Sequence, residues 1–266
     1  MEIMARNLSY KYKGKNQIHN LSFSFESSKI IGITGQFKTL LLEIIDLQKK
    51  FHGDLYIDKK QVNSFNKLIL QRQIVLIKQK NMFFMNTVFE EMKLVVEYYH
   101  YNSKDLKIRM INSLKLVGLD SNYLNRKIST LSESEKTLVR VACGFLTNPK
   151  VILFDDIFSG LDYKSKKILL TLIRKLRDRR DKLIVIASND VDLLYEYTDK
   201  LLVLDNGNCV CLEDTMSVFL NEEFLMQHNL AVPYLVKFTN LARSKNVKLS
   251  YHRDILDLIK DVYKHV

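Results

Sequence analysis

The chain has 266 residues, 47% apolar and 27% charged, which suits one large α/β domain or one domain with a short extension. Eight glycines and two prolines exclude collagen-like, proline-linker and turn-rich all-β sandwich readings, and no apolar run approaches the ~18 residues of a membrane span. The N-terminus has no signal-peptide apolar region, so a soluble, cytosolic chain is expected, and the formal charge of +11 permits an anionic partner without choosing one.

Short apolar runs alternate with longer helical patterns, the signature of a parallel α/β core. Ala5 to Phe25 alternates and is rich in aromatics, which predicts antiparallel β-structure. Lys29 to Ile33 reads as a buried strand, and Thr39 to Leu47 as a helix with Leu40, Leu41, Ile44 and Ile45 at helical spacing. Between Phe65 and Leu131 the character changes to a helical insertion, with helices over 87–99 and 104–117 separated by Asn102-Ser103. Val151 to Phe154 is a second buried strand, which ends in two carboxylates, and Ile168 to Leu176 is helical. Leu183 to Ala187 and Leu201 to Leu204 are further buried strands, the last turning at Asp205-Asn206-Gly207. Cys209 and Cys211 alternate with Val210, as on one face of a strand; with Cys143 they read as reduced packing residues. After Glu213 the pattern is helical again, with Pro233 and short amphipathic segments to Val266. The basic cluster Arg174, Lys175, Arg177, Arg179, Arg180 and Lys182, interrupted by Asp178 and Asp181, reads as a solvated helix end. No aromatic-and-basic RNA-binding signature accompanies it, so no nucleic-acid partner is expected.

Strand, loop and helix form the context in which a phosphate-binding loop has meaning. The loop is Gly32-Ile33-Thr34-Gly35-Gln36-Phe37-Lys38-Thr39, followed by Leu40, and fits GxxxxGK[ST] except that Phe37 stands at the second glycine. In that pattern backbone N–H groups at the helix start bind phosphate oxygens, Lys38 reaches the β/γ-phosphates and Thr39 holds Mg²⁺. Phe37 opposes this, since a side chain sits where backbone must approach phosphate. Asp155 and Asp156 read either as a Walker B pair, with Asp155 on Mg²⁺ and Asp156 as general base, or as helix-capping, loop-solvating acids.

Order and spacing decide between these. Leu131-Ser132-Glu133-Ser134-Glu135 precedes Asn148-Pro149-Lys150 and the Asp155-Asp156 strand. Ser159-Gly160-Leu161-Asp162 follows it, Ser188-Asn189-Asp190 follows the next strand, and Gln79 lies between the phosphate loop and the insertion. This layout resembles the ATP-binding-cassette (ABC) ATPases over about residues 1–220. The resemblance implies a P-loop NTPase of the ABC nucleotide-binding class. It would have a RecA-like α/β core, an antiparallel β-subdomain and a helical subdomain over about 85–145. The nucleotide would be ATP with Mg²⁺, held by Gly32, Thr34, Gly35, Gln36, Phe37, Lys38, Thr39 and Leu40, with Tyr12 stacking on adenine. Thr39, Gln79 and Asp155 would serve the metal, and Gln79 would couple it to a membrane partner. Asp156 and Asn189 would stand in the catalytic positions. Ser132, Glu133, Ser134 and Glu135 would form the signature that faces a nucleotide on the opposite subunit, and Asp162 of the D-loop would reach across the dimer.

Departures from the family pattern gather at the chemistry. Besides Phe37, Glu133, Ser134 and Glu135 replace Gly-Gly-Gln, Asp156 replaces glutamate, and Asn189 replaces histidine. A carboxylate moved by about 1 Å can lower a rate by ~100-fold. Two carboxylates at the signature disfavour a γ-phosphate, although Ser132 and Glu135 keep an S-x-x-E capping box. Slow hydrolysis, or none, is expected. The tail, Asn229-Leu230-Ala231-Val232-Pro233 and then Ile255 to Ile259, is similar to that of energy-coupling-factor (ECF) ATPases. This implies a dimerising helical extension over 221–266 and a peripheral subunit on the cytoplasmic face of the cell membrane. Its partners would be a second ABC ATPase, a membrane-embedded T subunit and a substrate-capture subunit, and its cargo a vitamin or metal ion. The Pro-acidic-x-Gln stretch of ECF ATPases is missing between Gln79 and Thr87. Met82, Phe83, Phe84 and Met85 there read either as core or as an apolar docking groove. Two rivals stay open: a pseudo-ATPase that supplies dimer surface and docking, and a soluble non-transport ABC protein.

Overall fold

A computed structural model describes residues 1–27, 29–79, 82–98, 105–178 and 182–265. β1 (Glu2–Tyr12) pairs antiparallel with β2 (Lys15–Glu26), as the alternating pattern predicts. β3 (Ile30–Gly35) leads directly into α1 (Lys38–Ile45). β4 (His52–Ile57) returns to β1, and the short β5 (Lys60–Gln61) closes a four-stranded sheet in the order β2-β1-β4-β5. α2 (Lys67–Gln71) then precedes β6 (Ile74–Lys78).

The insertion follows: α3 (Val88–Tyr98), α4 (Leu106–Leu116), 3-10 turns at Ser121–Asn125 and Ile128–Thr130, and α5 (Glu133–Leu146). β7 (Val151–Asp155), a 3-10 turn at Ile157–Gly160, α6 (Tyr163–Asp178), β8 (Leu183–Ala187), α7 (Val191–Tyr197), β9 (Lys200–Asp205) and β10 (Asn208–Asp214) complete the core. The second sheet runs β10-β9-β3-β8-β7-β6, with five parallel strands and β10 antiparallel at the edge. α8 (Thr215–Leu220), α9 (Glu222–Gln227), α10 (Tyr234–Ser244) and α11 (Ile255–His265) form the tail. Among the described residues no helix is long and apolar enough to cross a membrane.

The central strands are buried on both faces, so they read as unbroken apolar runs rather than as alternation. Along each one, successive side chains enter different cores. Ile30, Ile152, Ile184 and Leu201 face the cluster built with α5 and α6. Ile31, Leu153, Val185 and Leu202 face a second cluster shared with α1 and the β1–β4 sheet. Each fully buried Leu or Ile contributes about 1.5–3 kcal/mol, enough to hold both ends of the sheet in fixed register.

Two expectations need correction. The stretch after Phe65 is not helical throughout, because Ile74–Lys78 forms the edge strand β6 and pairs with β7 in parallel. The apolar, β-branched run Ile74-Val75-Leu76-Ile77 carried that signal. Cys209 and Cys211 lie in β10 but not on one face: a register shift falls between them, Cys209 packs against the second cluster and Cys211 against the first. The helix predicted over Ile168 to Leu176 is borne out within the longer α6. Tyr99, Asn102-Ser103 and Lys104 at the predicted helix boundaries, and Arg179, Arg180 and Asp181 of the basic cluster, lie outside the described residues.

Candidate functional site

The predicted phosphate loop sits where β3, flanked by β8 and β9, meets α1. At Gly35 φ is +96°, and a Cβ there would lie 1.8 Å from the Leu204 carbonyl oxygen, so the position requires glycine. Phe37 takes the left-handed conformation too, with φ 65°, as the N-cap of α1, at a cost of about 1–2 kcal/mol for a residue with a Cβ. Its ring is half-buried against the cluster that contains Ile33 and Leu41. The backbone turn expected of the missing glycine is therefore kept, and apolar burial of the ring offsets its strain. Among the described residues no side chain caps α1, and no acidic residue lies in its first turn, which leaves the N–H groups of Lys38, Thr39 and Leu40 suited to an anion.

Two contacts join this loop to the end of β7. The Thr39 hydroxyl donates to Asp155 Oδ1 at 2.9 Å, and the buried Lys38 ammonium lies 3.0 Å from Asp156 Oδ2. Burial pushes the Asp155 carboxyl above its ordinary range, with the neighbouring Asp156 charge adding to the rise and the Thr39 hydroxyl opposing it. Asp156 follows the strand in a left-handed turn, φ 51°, and its N–H donates to the Ala187 carbonyl at 3.0 Å. The hydroxyl and carboxylate oxygens of Thr39 and Asp155 are hard donors that suit Mg²⁺. The cationic lysine and the uncapped helix start suit a triphosphate.

A second group assembles at the start of α5. Ser132 accepts the Glu135 N–H at 3.2 Å, and Glu135 accepts the Ser132 N–H at 2.8 Å, which completes the predicted capping box. Glu135 also accepts from the Tyr123 hydroxyl and lies 3.5 Å from Arg126. These hydrogen bonds hold its carboxyl below the ordinary range. Exposed Glu133 pairs with Lys136 at 2.7 Å. Each signature carboxylate thus has a cation beside it, which blunts the repulsion expected of them. Tyr123 and Arg126 escaped the sequence reading; the only signal was their place just before the signature. The Ser134 hydroxyl accepts the Asp162 N–H at 2.9 Å and lies 3.4 Å from the Gly160 carbonyl, so it is tied to the loop after β7 of its own chain. Asp162 accepts the Ser165 N–H and hydroxyl, both at 2.9 Å, and these bonds pull its carboxyl down to about 2.

Gln79 links the two groups. Its N–H donates to the Asp155 carbonyl at 3.2 Å, and its amide rests on Gly160, where an added Cβ would lie 3.0 Å from Nε2. Tyr12 and Asn189 join neither group through a described hydrogen bond or ion pair. Tyr12 ends β1, 53% exposed, with Lys13 Nζ 5.6 Å from its ring. Asn189 is exposed in the turn before α7, and its neighbour Asp190 caps that helix through the Leu193 N–H.

The apolar segment after Gln79 divides between its two readings. Met82 and Phe84 are 82% and 76% exposed, while Phe83 packs inward beneath the Arg140 guanidinium, 4.6 Å from its ring centroid. Glu91 accepts the N–H groups of Phe84 and Met85, each at 2.9 Å, which fixes the segment over a groove of about 370 Å³.

The sequence profile of the ABC transporter family matches residues 18–159. The energy-coupling factor transporter ATP-binding protein EcfA1 of Mycoplasma mobile is 30% identical over 96% of this chain and 94% of its own length. The methionine import ATP-binding protein MetN of Clostridioides difficile is 26% identical over 95% of this chain and 80% of its own. Among solved structures, cbiO1 from Clostridium perfringens, part of the ABC transporter complex cbiONQ, superposes with a TM-score of 0.73 at 21% identity. That match covers 90% of this chain and 98% of the other, and it shows a shared fold. The chain therefore belongs to the ABC transporter family, as an ATP-binding subunit built on the cassette whose members bind MgATP.

Proposed function

We propose that this chain is the peripheral ATP-binding subunit of an energy-coupling-factor importer for a vitamin or metal ion, seated on the cytoplasmic face of the membrane. It pairs with a second ATPase and docks on a T subunit that carries a substrate-capture subunit. The observation that carries this reading is the interlock of Lys38, Thr39, Asp155 and Asp156 beneath the uncapped start of α1. Lys38 would exchange Asp156 for the β/γ-phosphates, Thr39 and Asp155 would hold the metal, and Asp156 would face the attacking water. Bound Mg²⁺ would supply positive charge against that developing on the transferred phosphoryl. Ser132 to Glu135 and Asp162 face the partner's nucleotide, and Tyr12, Gln79 and Asn189 take the adenine, coupling and switch positions. Exposed Ile255, Leu256, Ile259 and Tyr263 on α11 support residues 221–266 as the dimerising extension. The groove under Met82 and Phe84 supports docking to an apolar coupling element.

Titrating the chain with ATP, with and without Mg²⁺, tests the site: Mg²⁺-strengthened binding is expected. Slow turnover in the assembled complex, lowered further by Asp156→Ala, is expected; fast turnover abolished by that change would overturn the slow-hydrolysis reading. The salt bridge from Lys38 to Asp156 and the ring at Phe37 favour a second reading, a pseudo-ATPase beside an active partner. Absence of Mg²⁺-dependent nucleotide binding would establish it.

A further inference from the structure

A half-open trough of about 810 Å³ runs along α6, between that helix and the ends of α4 and α5. It shares no residue with the candidate nucleotide site or the groove beside Gln79. Its floor is apolar, built from Leu116, Phe145, Ile168 and Leu172. Lysines rim it: Lys115 from α4, and Lys164, Lys167 and Lys175 from α6. The α6 positions 164, 167, 171 and 175 recur at helical spacing and share a face, and among the described residues no Asp or Glu lines the trough.

The pairing of cations on α6 depends on the face. Away from the trough, Lys166 meets Asp190 at 3.1 Å and Arg174 meets Glu196 at 3.4 Å. On the trough face, Lys164, Lys167 and Lys175 make no ion pair among the described residues, and neither does Lys115. Lys182, at the trough's end, is already held by Asn148 Oδ1 at 2.9 Å and the Pro149 carbonyl at 2.7 Å. Four like charges around an apolar floor repel one another unless an external anion compensates them.

The spacing selects the kind of anion. From Lys164 to Lys175 the helix rises about 16 Å, at roughly 1.5 Å per residue. A lipid headgroup concentrates its charge at one end and would leave most of that row unmet. A bilayer surface does not enter a concave trough, and a nucleic-acid backbone would leave the apolar floor wet. An amphipathic helix satisfies both features, with apolar side chains at i, i+3, i+4 and i+7 on the floor and carboxylates along its flanks. We propose that the trough along α6 binds an acidic amphipathic helix of a partner protein.

The test uses the full chain and a fluorescein-labelled helical peptide of Leu, Glu and Ala, with Leu at i, i+3, i+4 and i+7 and Glu on both flanks. Saturable anisotropy is expected, at least tenfold tighter than for a scrambled peptide of the same composition. The double variant K167E/K175E, shown by thermal melting to fold, should weaken binding at least tenfold. A peptide with Lys in place of Glu should bind that variant and not the native chain. Three results would overturn the proposal: no saturable binding, equal affinity for the scrambled peptide, or displacement of the peptide by anionic phospholipid vesicles with the same sensitivity to K167E/K175E.

Discussion

The loop before α1 and the start of α5 solve opposite problems. At the loop, two buried charged groups find partners across the fold: Lys38 meets the partly exposed Asp156, and Asp155 accepts from Thr39, 116 positions away in sequence. The helix start itself is left uncapped. At α5 the helix is capped by its own Ser132 and Glu135, and the surrounding charges are matched within the same subdomain. The first arrangement leaves an open helix start that suits an anion, and the second is complete already. A substitution should therefore act on ligand binding at one end and on local stability at the other.

The sharpest way to break this contrast is Lys38→Ala. It removes the buried cation and leaves Asp155 and Asp156 facing each other, so nucleotide affinity should fall about 100-fold, the loss of one or two charge-assisted hydrogen bonds. Calorimetric titration reads this directly, and unchanged affinity would mean the lysine never leaves Asp156. Phe37→Gly should act in the other direction. It relieves the left-handed strain and opens the approach to the backbone, so affinity should rise about tenfold while stability changes by about 1 kcal/mol or less. If affinity falls, the ring belongs to the binding surface. Ser132→Ala should cost about 1 kcal/mol of stability through the lost cap, which appears as a lower denaturant midpoint with nucleotide affinity of the isolated chain unaltered.

A pH dependence of stability is expected as well. Asp46, the C-cap of α1, is buried beside Gln48, and burial raises its carboxyl from the ordinary 3.8 to about 7. The folded state therefore favours the neutral form. Its stabilising contribution is complete below pH 3.8 and is lost as the pH rises through about 7. Melting temperatures of the wild type and Asp46→Asn should thus diverge from pH 5 to pH 8, with the variant gaining on the wild type. Parallel curves would show that Asp46 titrates normally.

Much of the architecture could be read from the chain itself. Unbroken apolar runs marked β3, β7, β8 and β9, because strands covered on both faces need nothing else. The edge strand β6 lies in a stretch whose overall pattern is helical, although its own run is β-branched and apolar. The bulge in β10, which sends Cys209 and Cys211 to different cores, had no local signal, since it arises from pairing with β9. At the site, residue types and order pointed to Lys38, Thr39, Asp155 and Asp156, and the S-x-x-E pattern pointed to the cap of α5.

The sequence by itself determined the order of the buried strands β3, β7, β8 and β9 along the chain, the capped helix start at Ser132, and which residues could meet a phosphate, because backbone periodicity and local hydrogen bonding depend only on near neighbours. Only the tertiary structure decided who meets whom. It set Lys38 against Asp156, turned Glu135 toward Tyr123 and Arg126, bound Ser134 to its own Asp162, and lined one face of α6 with lysines that make no ion pair among the described residues. Charge compensation works through distance in space, and separation along the chain does not encode it.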